Sequence, residues 1–317
     1  MSATRPVIFG CSGLALTDEE KRFFADVRPC GFIVFSRNVA DPAQLTALIR
    51  ELRDVAGNVP ALIDQEGGRV ARLRPPHWPD SPPAARFRFA NFPSEEKARE
   101  AAFAEGKRTG AMLATLGVNV DCAPVCDLEC DGADAIIGDR SFGTAPREAI
   151  TLAKAYADGL TASGVMPVIK HIPGHGRARC DSHKALPIVA TPLEELEETD
   201  FAVFAALAHF PCAMTAHIVY NALDETRCAT LSPAVISYIR EKMGFDGLLM
   251  SDDVGMNALS GDFEARAKEC IAAGCDVALH CSGDMREMRA VSAGLPHASG
   301  ARVERWLRRF HENKYIG

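Results

Sequence analysis

The sequence has no apolar run approaching the about 20 residues that a membrane-spanning helix needs. Its first residues, Met1-Ser2-Ala3-Thr4-Arg5-Pro6, lead only into Val7-Ile8-Phe9, too short an apolar stretch for the core of a secretion signal. The expectation is a cytoplasmic protein with no membrane partner. A surplus of positive charge is also missing. With 35 Lys and Arg against 42 Asp and Glu the chain carries −7, and nucleic acid, which wants a basic face, is not an expected partner. Cysteines are present but do not form a framework: they are eleven, odd in number and scattered. Reduced thiols are therefore expected. Cys122, Cys126 and Cys130 recur every fourth residue, yet Pro124 interrupts a helical reading and the spacing is not a common zinc pattern. These three read as small core residues. No glycine-rich phosphate loop follows the first candidate strand, which weighs against a doubly wound nucleotide-binding sheet. No low-complexity linker divides the chain, and the proline-rich residues 74–83 read as a rigid loop.

What the sequence does have is alternation. Short, continuous apolar runs at 7–9, 31–35, 61–64, 118–122, 165–170, 213–215, 247–251 and 276–279 have the character of parallel strands covered on both faces. Helical signals lie between them. Asp41-Pro42 and Ser232-Pro233 offer a capping side chain followed by proline in the first turn. Thr191-Pro192 with Glu194 suggests a capping box. Ile150, Ala153, Ala157 and Leu160 form one apolar stripe, and Phe263, Ala267, Cys270 and Ile271 another. A charged helix is expected near 302–313. Eight strands with intervening helices predict an α/β fold, a (β/α)8 TIM-type barrel, as one domain over residues 1–317 with no second domain. The open doubly wound sheet is the alternative.

Polar residues gather where these strands end: Asp64, Asp121, Lys170-His171, Thr215 and His217, Ser251-Asp252-Asp253, His280 and Ser282. In such barrels that rim carries the chemistry. The densest segment is Lys170-His171-Ile172-Pro173-Gly174-His175-Gly176-Arg177-Ala178-Arg179-Cys180-Asp181-Ser182-His183, in which Gly174 and Gly176 permit turns that other residues resist. Asp181, two residues before His183, is placed to accept its ring N–H and orient the other nitrogen for proton transfer. Asp252 and Asp253 are adjacent, so on a regular strand only one of them faces the barrel axis. One is a candidate nucleophile and the other a turn or helix cap.

Asp64-Gln65-Glu66-Gly67-Gly68-Arg69-Val70-Ala71-Arg72, the segment 170–183 and Leu249-Met250-Ser251-Asp252-Asp253 together resemble glycoside hydrolase family 3. They resemble most its single-domain bacterial β-N-acetylglucosaminidases, as do Asp139-Arg140-Ser141-Phe142-Gly143 and Met214-Thr215-Ala216-His217. The histidine-rich loop is specific to that branch. The resemblance implies a retaining exo-β-N-acetylglucosaminidase with Asp252 as nucleophile, His183 as acid/base and Asp181 as its partner. It implies that Asp64, Arg72, Arg140, Lys170 and His171 hold the sugar, and that no metal and no organic cofactor take part. The implied substrate is a small carbohydrate: muropeptide fragments from peptidoglycan recycling, with N-acetylglucosamine on 1,6-anhydro-N-acetylmuramic acid. Chitin oligosaccharides stay open as an alternative, as does phosphate in place of water. A monomer is the default expectation. The His183–Asp252 pair departs from the usual two carboxylates. Two other readings are a zinc-dependent barrel hydrolase using His171, His175, Asp181, His183 and Asp252, and a sugar-binding barrel without catalysis. The first strand lacks the H-x-H pair common in metal-dependent barrels, and the intact set of Asp252, Asp181 and His183 argues against a lost activity.

Overall fold

The computed structural model describes residues 4–180 and 186–312. In chain order its strands are β1 (Arg5–Phe9), β2 (Pro29–Val34), β3 (Ala61–Ile63), β4 (Val120–Asp121), β5 (Met166–Pro167), β6 (Ile169–Ile172), β7 (Ile188–Val189), β8 (Cys212–Thr215), β9 (Val219–Tyr220), β10 (Leu248–Asp253) and β11 (Val277–His280). The helices are α1 (Asp18–Val27), α2 (Pro42–Ala56), α3 (Glu95–Thr115), α4 (Pro146–Ala162), α5 (Leu193–Glu198), α6 (Asp200–Ala206), α7 (Pro233–Glu241), α8 (Phe263–Ala273), α9 (Met285–Ala293) and α10 (Ala301–His311).

Nine strands pair in parallel in the order β5-β4-β3-β2-β1-β11-β10-β8-β6. Only Val168 separates β5, which pairs with β4, from β6, which pairs with β8. They are halves of one interrupted strand, so the sheet has eight staves and closes as a TIM-type (β/α)8 barrel. Each of the eight apolar runs lies on a stave. Alternation along the staves sorts residues between two cores. Ile8, Leu248, Met250, Val277 and Leu279 pack inside the barrel, while Val7, Phe9, Leu249 and Ala278 pack outward under the helices. The barrel floor is closed by α10, whose Val303 and Trp306 join the inner core and whose indole N–H points at Met166 Sδ, 2.9 Å away. That plug leaves the opposite, C-terminal mouth as the open end.

Local signals mostly behave as read. Asp41 accepts the Gln44 N–H at 2.9 Å and Ser232 accepts that of Val235 at 3.2 Å, each ahead of a first-turn proline. The Thr191 capping box does not form. Helix α5 starts one residue late, with Pro192 itself at the cap position and no side chain to accept. The small sheet of β7 and β9 was not foreseen, since two-residue strands leave no periodicity to read. Cys122 lies in the inner core while Cys126 and Cys130 lie with the outer one, so the three thiols are distributed between layers as packing residues. Among the described residues no helix is long and apolar enough to cross a membrane.

Candidate active site

The C-terminal mouth holds a cavity of about 260 Å³. Its polar lining comes from strand ends and the loops after them: Asp64 and Glu66 after β3, Lys170 and His171 on β6, Asp252 and Asp253 on β10, with Arg72 and Arg140 from the long loops.

Two β-bulges shape it. Against β8, Lys170 pairs with Met214 and Ile172 with Thr215, so β6 spends two steps where β8 spends one. Against β11, Met250 pairs with Val277 and Asp253 with Leu279, three steps against two. An extra residue breaks the in–out alternation of a strand. Lys170 and His171 therefore both reach the cavity, and so do Asp252 and Asp253. The expectation that only one of the two aspartates faces the barrel axis is corrected by that bulge.

On one wall, carboxylates and cations alternate in a continuous chain from Arg72 to Arg140. Asp64 lies 3.0 Å from Arg72 Nη2 and 2.8 Å from Lys170 Nζ. Lys170 also meets Glu66 at 2.6 Å, and Glu66 receives Arg140 through two bonds of 2.7 and 2.9 Å. Burial pushes the Glu66 carboxyl up, but Arg140 and Lys170 outweigh it and hold the group below its ordinary range. Burial works against the Lys170 ammonium too, and Asp64 with Glu66 more than restores its charge. Gly67 makes the tight turn behind Glu66 possible: its φ is +98°, and a Cβ there would lie 2.2 Å from the Pro82 carbonyl oxygen. Asp121, fully buried below, accepts the Gln65 N–H at 2.9 Å. Burial raises its carboxyl to about 8 against the opposing pull of that N–H and of Lys170.

The second wall is built on Asp127. This buried carboxylate accepts the His171 backbone N–H, the His171 Nδ1–H at 2.7 Å and the His175 N–H at 2.6 Å. Burial alone would raise it, but His171, His175 and those N–H groups keep it below its usual range. His171 is thereby turned with Nε2 left for the cavity. The loop sits close enough to Leu128 that a Cβ on Gly176 would fall 2.1 Å from the Leu128 carbonyl. Gly176 is thus required by close approach and also sits in the expected turn, which the Ala178 N–H closes on the His175 carbonyl, while Gly174 takes a φ of +145° that other residues resist. Burial, with a contribution from His171, lowers His175 to about 4.

The third wall is the turn after β10. Asp252 Oδ1 accepts the Asp253 N–H at 2.8 Å. Asp253 Oδ1 accepts the N–H groups of Gly255 and Cys281, which is the expected turn-capping role. The Asp253 carbonyl lies 2.9 Å from His217 Nε2. A carbonyl only accepts, so Nε2 carries the hydrogen and Nδ1 accepts from the Thr230 hydroxyl at 2.7 Å. Burial lowers the His217 pKa, in keeping with a neutral ring.

Six of the singled-out residues, Asp64, Arg72, Arg140, Lys170, His171 and Asp252, thus line one cavity. Asp181 and His183 lie outside the described residues. Glu66 stood in a quoted motif without a role, and Asp127 was missed. Its one signal is an acid embedded in an otherwise apolar stretch, 122–128. Among the described residues no three His, Cys, Asp or Glu side chains converge as a metal cradle.

The glycosyl hydrolase family 3 N-terminal domain matches residues 8–309. The chain is 37% identical over 284 residues to a beta-hexosaminidase of Methylococcus capsulatus, covering 87% of this chain and 82% of that one. It superimposes on NagZ from Neisseria gonorrhoeae, crystallised with N-trifluoroacetyl-D-glucosamine, with TM-score 0.88 and 29% identity over 99% of this chain and 91% of that one. A family 3 beta-N-acetylglucosaminidase from Paenibacillus matches 98% of this chain with TM-score 0.87 and 30% identity, and the chain spans 60% of that longer protein. Barrel, cavity and relatives together define a glycoside hydrolase of the β-hexosaminidase kind. The chain belongs to glycosyl hydrolase family 3, whose N-terminal domain accounts for nearly all of it.

Proposed function

We propose that this chain is a retaining exo-β-N-acetylglucosaminidase in which Asp252 attacks the anomeric carbon and His183, oriented by Asp181, first protonates the leaving oxygen and then deprotonates the incoming water. What carries this reading is a division of labour among the cavity's carboxylates. Asp64 and Glu66 are neutralised by Lys170, Arg72 and Arg140, and Asp253 Oδ1 is committed to two backbone N–H groups. Asp252 takes one backbone N–H and, among the described residues, has no cation beside it. A carboxylate that keeps lone pairs for a neighbour other than a cation is the one suited to form a covalent bond to carbon.

The same balance speaks for an uncharged ligand. Four acids, Asp64, Glu66, Asp252 and Asp253, face four bases, Arg69, Arg72, Arg140 and Lys170. An uncharged sugar is then held by hydrogen bonds, not by a surplus of charge. Asp64 offers oxygens to hydroxyl donors, the guanidinium and ammonium groups offer N–H donors, and His171 presents Nε2. The ligand of the Neisseria structure, an N-acylated glucosamine, supports N-acetylglucosamine as the sugar released. Muropeptide fragments, taken up in the cytoplasm by a monomeric enzyme during peptidoglycan recycling, are the substrate we assign.

The test is hydrolysis of an aryl N-acetyl-β-glucosaminide beside the corresponding plain glucoside, with the first product's anomeric configuration read by NMR. Turnover of the N-acetylated substrate with retention is expected. Asp252→Ala should reduce kcat by at least about 1,000-fold, the scale seen when a nucleophile is removed. Substantial turnover in that variant, or an inverted product, would remove Asp252 from this role.

A further inference from the structure

The turn that presents Asp252 is held from below by His217. A second buried histidine reaches it from the neighbouring strand. His280 ends β11, is fully buried, and packs edge-on against Phe9 (6.2 Å, 89°) and near-perpendicular to Phe263 (5.5 Å, 69°). An apolar ring would fill that box at less desolvation cost. The two nitrogens instead face two carboxylates. Nε2 lies 3.0 Å from Ser282 Oγ and 3.4 Å from Glu287 Oε2. Nδ1 lies 3.7 Å from Asp253 Oδ1.

Hydrogen bookkeeping fixes one side. The Ser282 hydroxyl gives its single hydrogen to Glu287, and its oxygen accepts the Asp284 N–H at 3.1 Å. Nε2 must therefore be the donor toward Ser282. On the other side Nδ1 is buried with no hydrogen-bond partner among the described residues. A lone pair there would oppose the Asp253 carboxylate, while a hydrogen would join the two. Burial pushes Asp253 up, and the His280 ring is foremost among the groups that bring it below its usual range.

We propose that His280 is a positioning residue. Anchored through Nε2 on Ser282 and Glu287, it faces Asp253 from Nδ1 across an ion-pair contact of 3.7 Å, which takes a hydrogen on both ring nitrogens, and holds the bulged end of β10 in the register that aims Asp252 into the cavity. The link to the reacting atom is short, because Asp253 gives its backbone N–H directly to Asp252 Oδ1. The proposal rests on Asp252 being the attacking carboxylate, and its effect falls on the chemical step more than on sugar binding, whose groups lie on the other two walls.

The experiment compares His280→Leu, His280→Gln and His280→Asn by kcat and KM on an aryl N-acetyl-β-glucosaminide, with thermal midpoints alongside. The Asn amide can donate near the Nδ1 position, the Gln amide only near Nε2, and Leu at neither. His280→Leu should lose about 30- to 100-fold in kcat at nearly constant KM, the scale of a misplacement of about 1 Å at a reacting atom. His280→Gln should resemble it, and His280→Asn should recover most of the loss. A Leu variant that keeps kcat, or an Asn variant no better than Leu, overturns the proposal. Glu287→Gln tests the same link from a partly exposed position without opening the core. A several-fold fall in kcat at constant KM is expected, and no fall overturns the anchoring. Asp252→Ala, run alongside, separates failure of the nucleophile reading from failure of this one.

Discussion

Replacing Asp121 by asparagine isolates the cost of keeping a carboxyl group neutral beneath the wall that Asp64, Glu66 and Lys170 form. Asp121 is fully buried and raised to about 8, whereas its unfolded value is that of an ordinary aspartate, near 3.8. One of its oxygens accepts from Gln65 and the other has no partner among the described residues. A folded pKa above the unfolded one means that the folded state binds the extra proton. The associated stability is complete below the unfolded value and is lost as pH rises through about 8. Between those limits the wild type should lose about 1.4 kcal/mol per pH unit from this group alone. At pH 7 the accumulated loss is roughly 4 kcal/mol as a ceiling. Asparagine keeps the acceptor for Gln65 and is neutral in both states. Urea unfolding followed by circular dichroism at pH 5, 6, 7 and 8 reads the difference directly. The variant should gain on the wild type by nearly 3 kcal/mol between pH 5 and pH 7, at about 1.4 kcal/mol for each unit. A difference that stays flat across the series, with the variant weaker throughout, would mean that Asp121 is ionised in the fold and held by Lys170, and would refute the reasoning.

Two further substitutions test the other walls. Glu66→Gln leaves Arg140 and Lys170 short of a buried partner, so a stability loss of about 3–5 kcal/mol is expected together with a rise in KM. Unfolding and steady-state assays on the same preparation check both, and an unchanged KM would separate Glu66 from ligand binding. His175, lowered to about 4, contributes stability that is present above its unfolded value near 6.5 and is lost as pH falls through 4. His175→Gln should therefore flatten the acid limb of the stability profile by up to about 3 kcal/mol, as read by thermal unfolding between pH 4 and 7. An acid limb as steep as that of the wild type would contradict it.

The staves of the barrel were legible because each carries its own evidence. A continuous apolar run such as 277–279 needs no partner to be read as a buried strand, and Asp41 before Pro42 declares a helix start by itself. Asp64, Lys170 and Asp252 were legible for the same reason, as charges standing where apolar runs stop. Asp127 was not, and for Asp121, His217 and His280 the place at a strand end was legible but the role was not. Each is defined by what it meets across the fold: His171 is 44 residues from Asp127, Gln65 is 56 from Asp121, and Asp253 is 36 from His217. Nothing local distinguishes them from a capped or solvated side chain. The same holds for the sheet of β7 and β9, where two residues of each strand give no period.

The failed expectation about Asp252 and Asp253 has a physical cause that the other side of the site shares. Strand alternation forbids neighbours from facing the same way only where the strand is regular, and between Met250 and Asp253 it is not. A bulge appears only when the registers of two strands are compared, because it is a mismatch of step counts between partners. Both bulges fall at the C-terminal ends of staves, where twist and pairing are ending and one extra residue is cheapest to admit. Each places a polar pair, Lys170-His171 or Asp252-Asp253, in one cavity. Burying both members of such a pair costs desolvation that a regular strand would avoid by turning one outward. Here every member has a partner to offset it: Asp64 and Glu66 for Lys170, Asp127 for His171, and two backbone N–H groups for Asp253. Asp252, with a single N–H, is the member left least compensated. In a parallel barrel, then, two adjacent polar residues at a strand end point to a bulge before they point to an inner and an outer face, and the less compensated of the two is where chemistry should be sought.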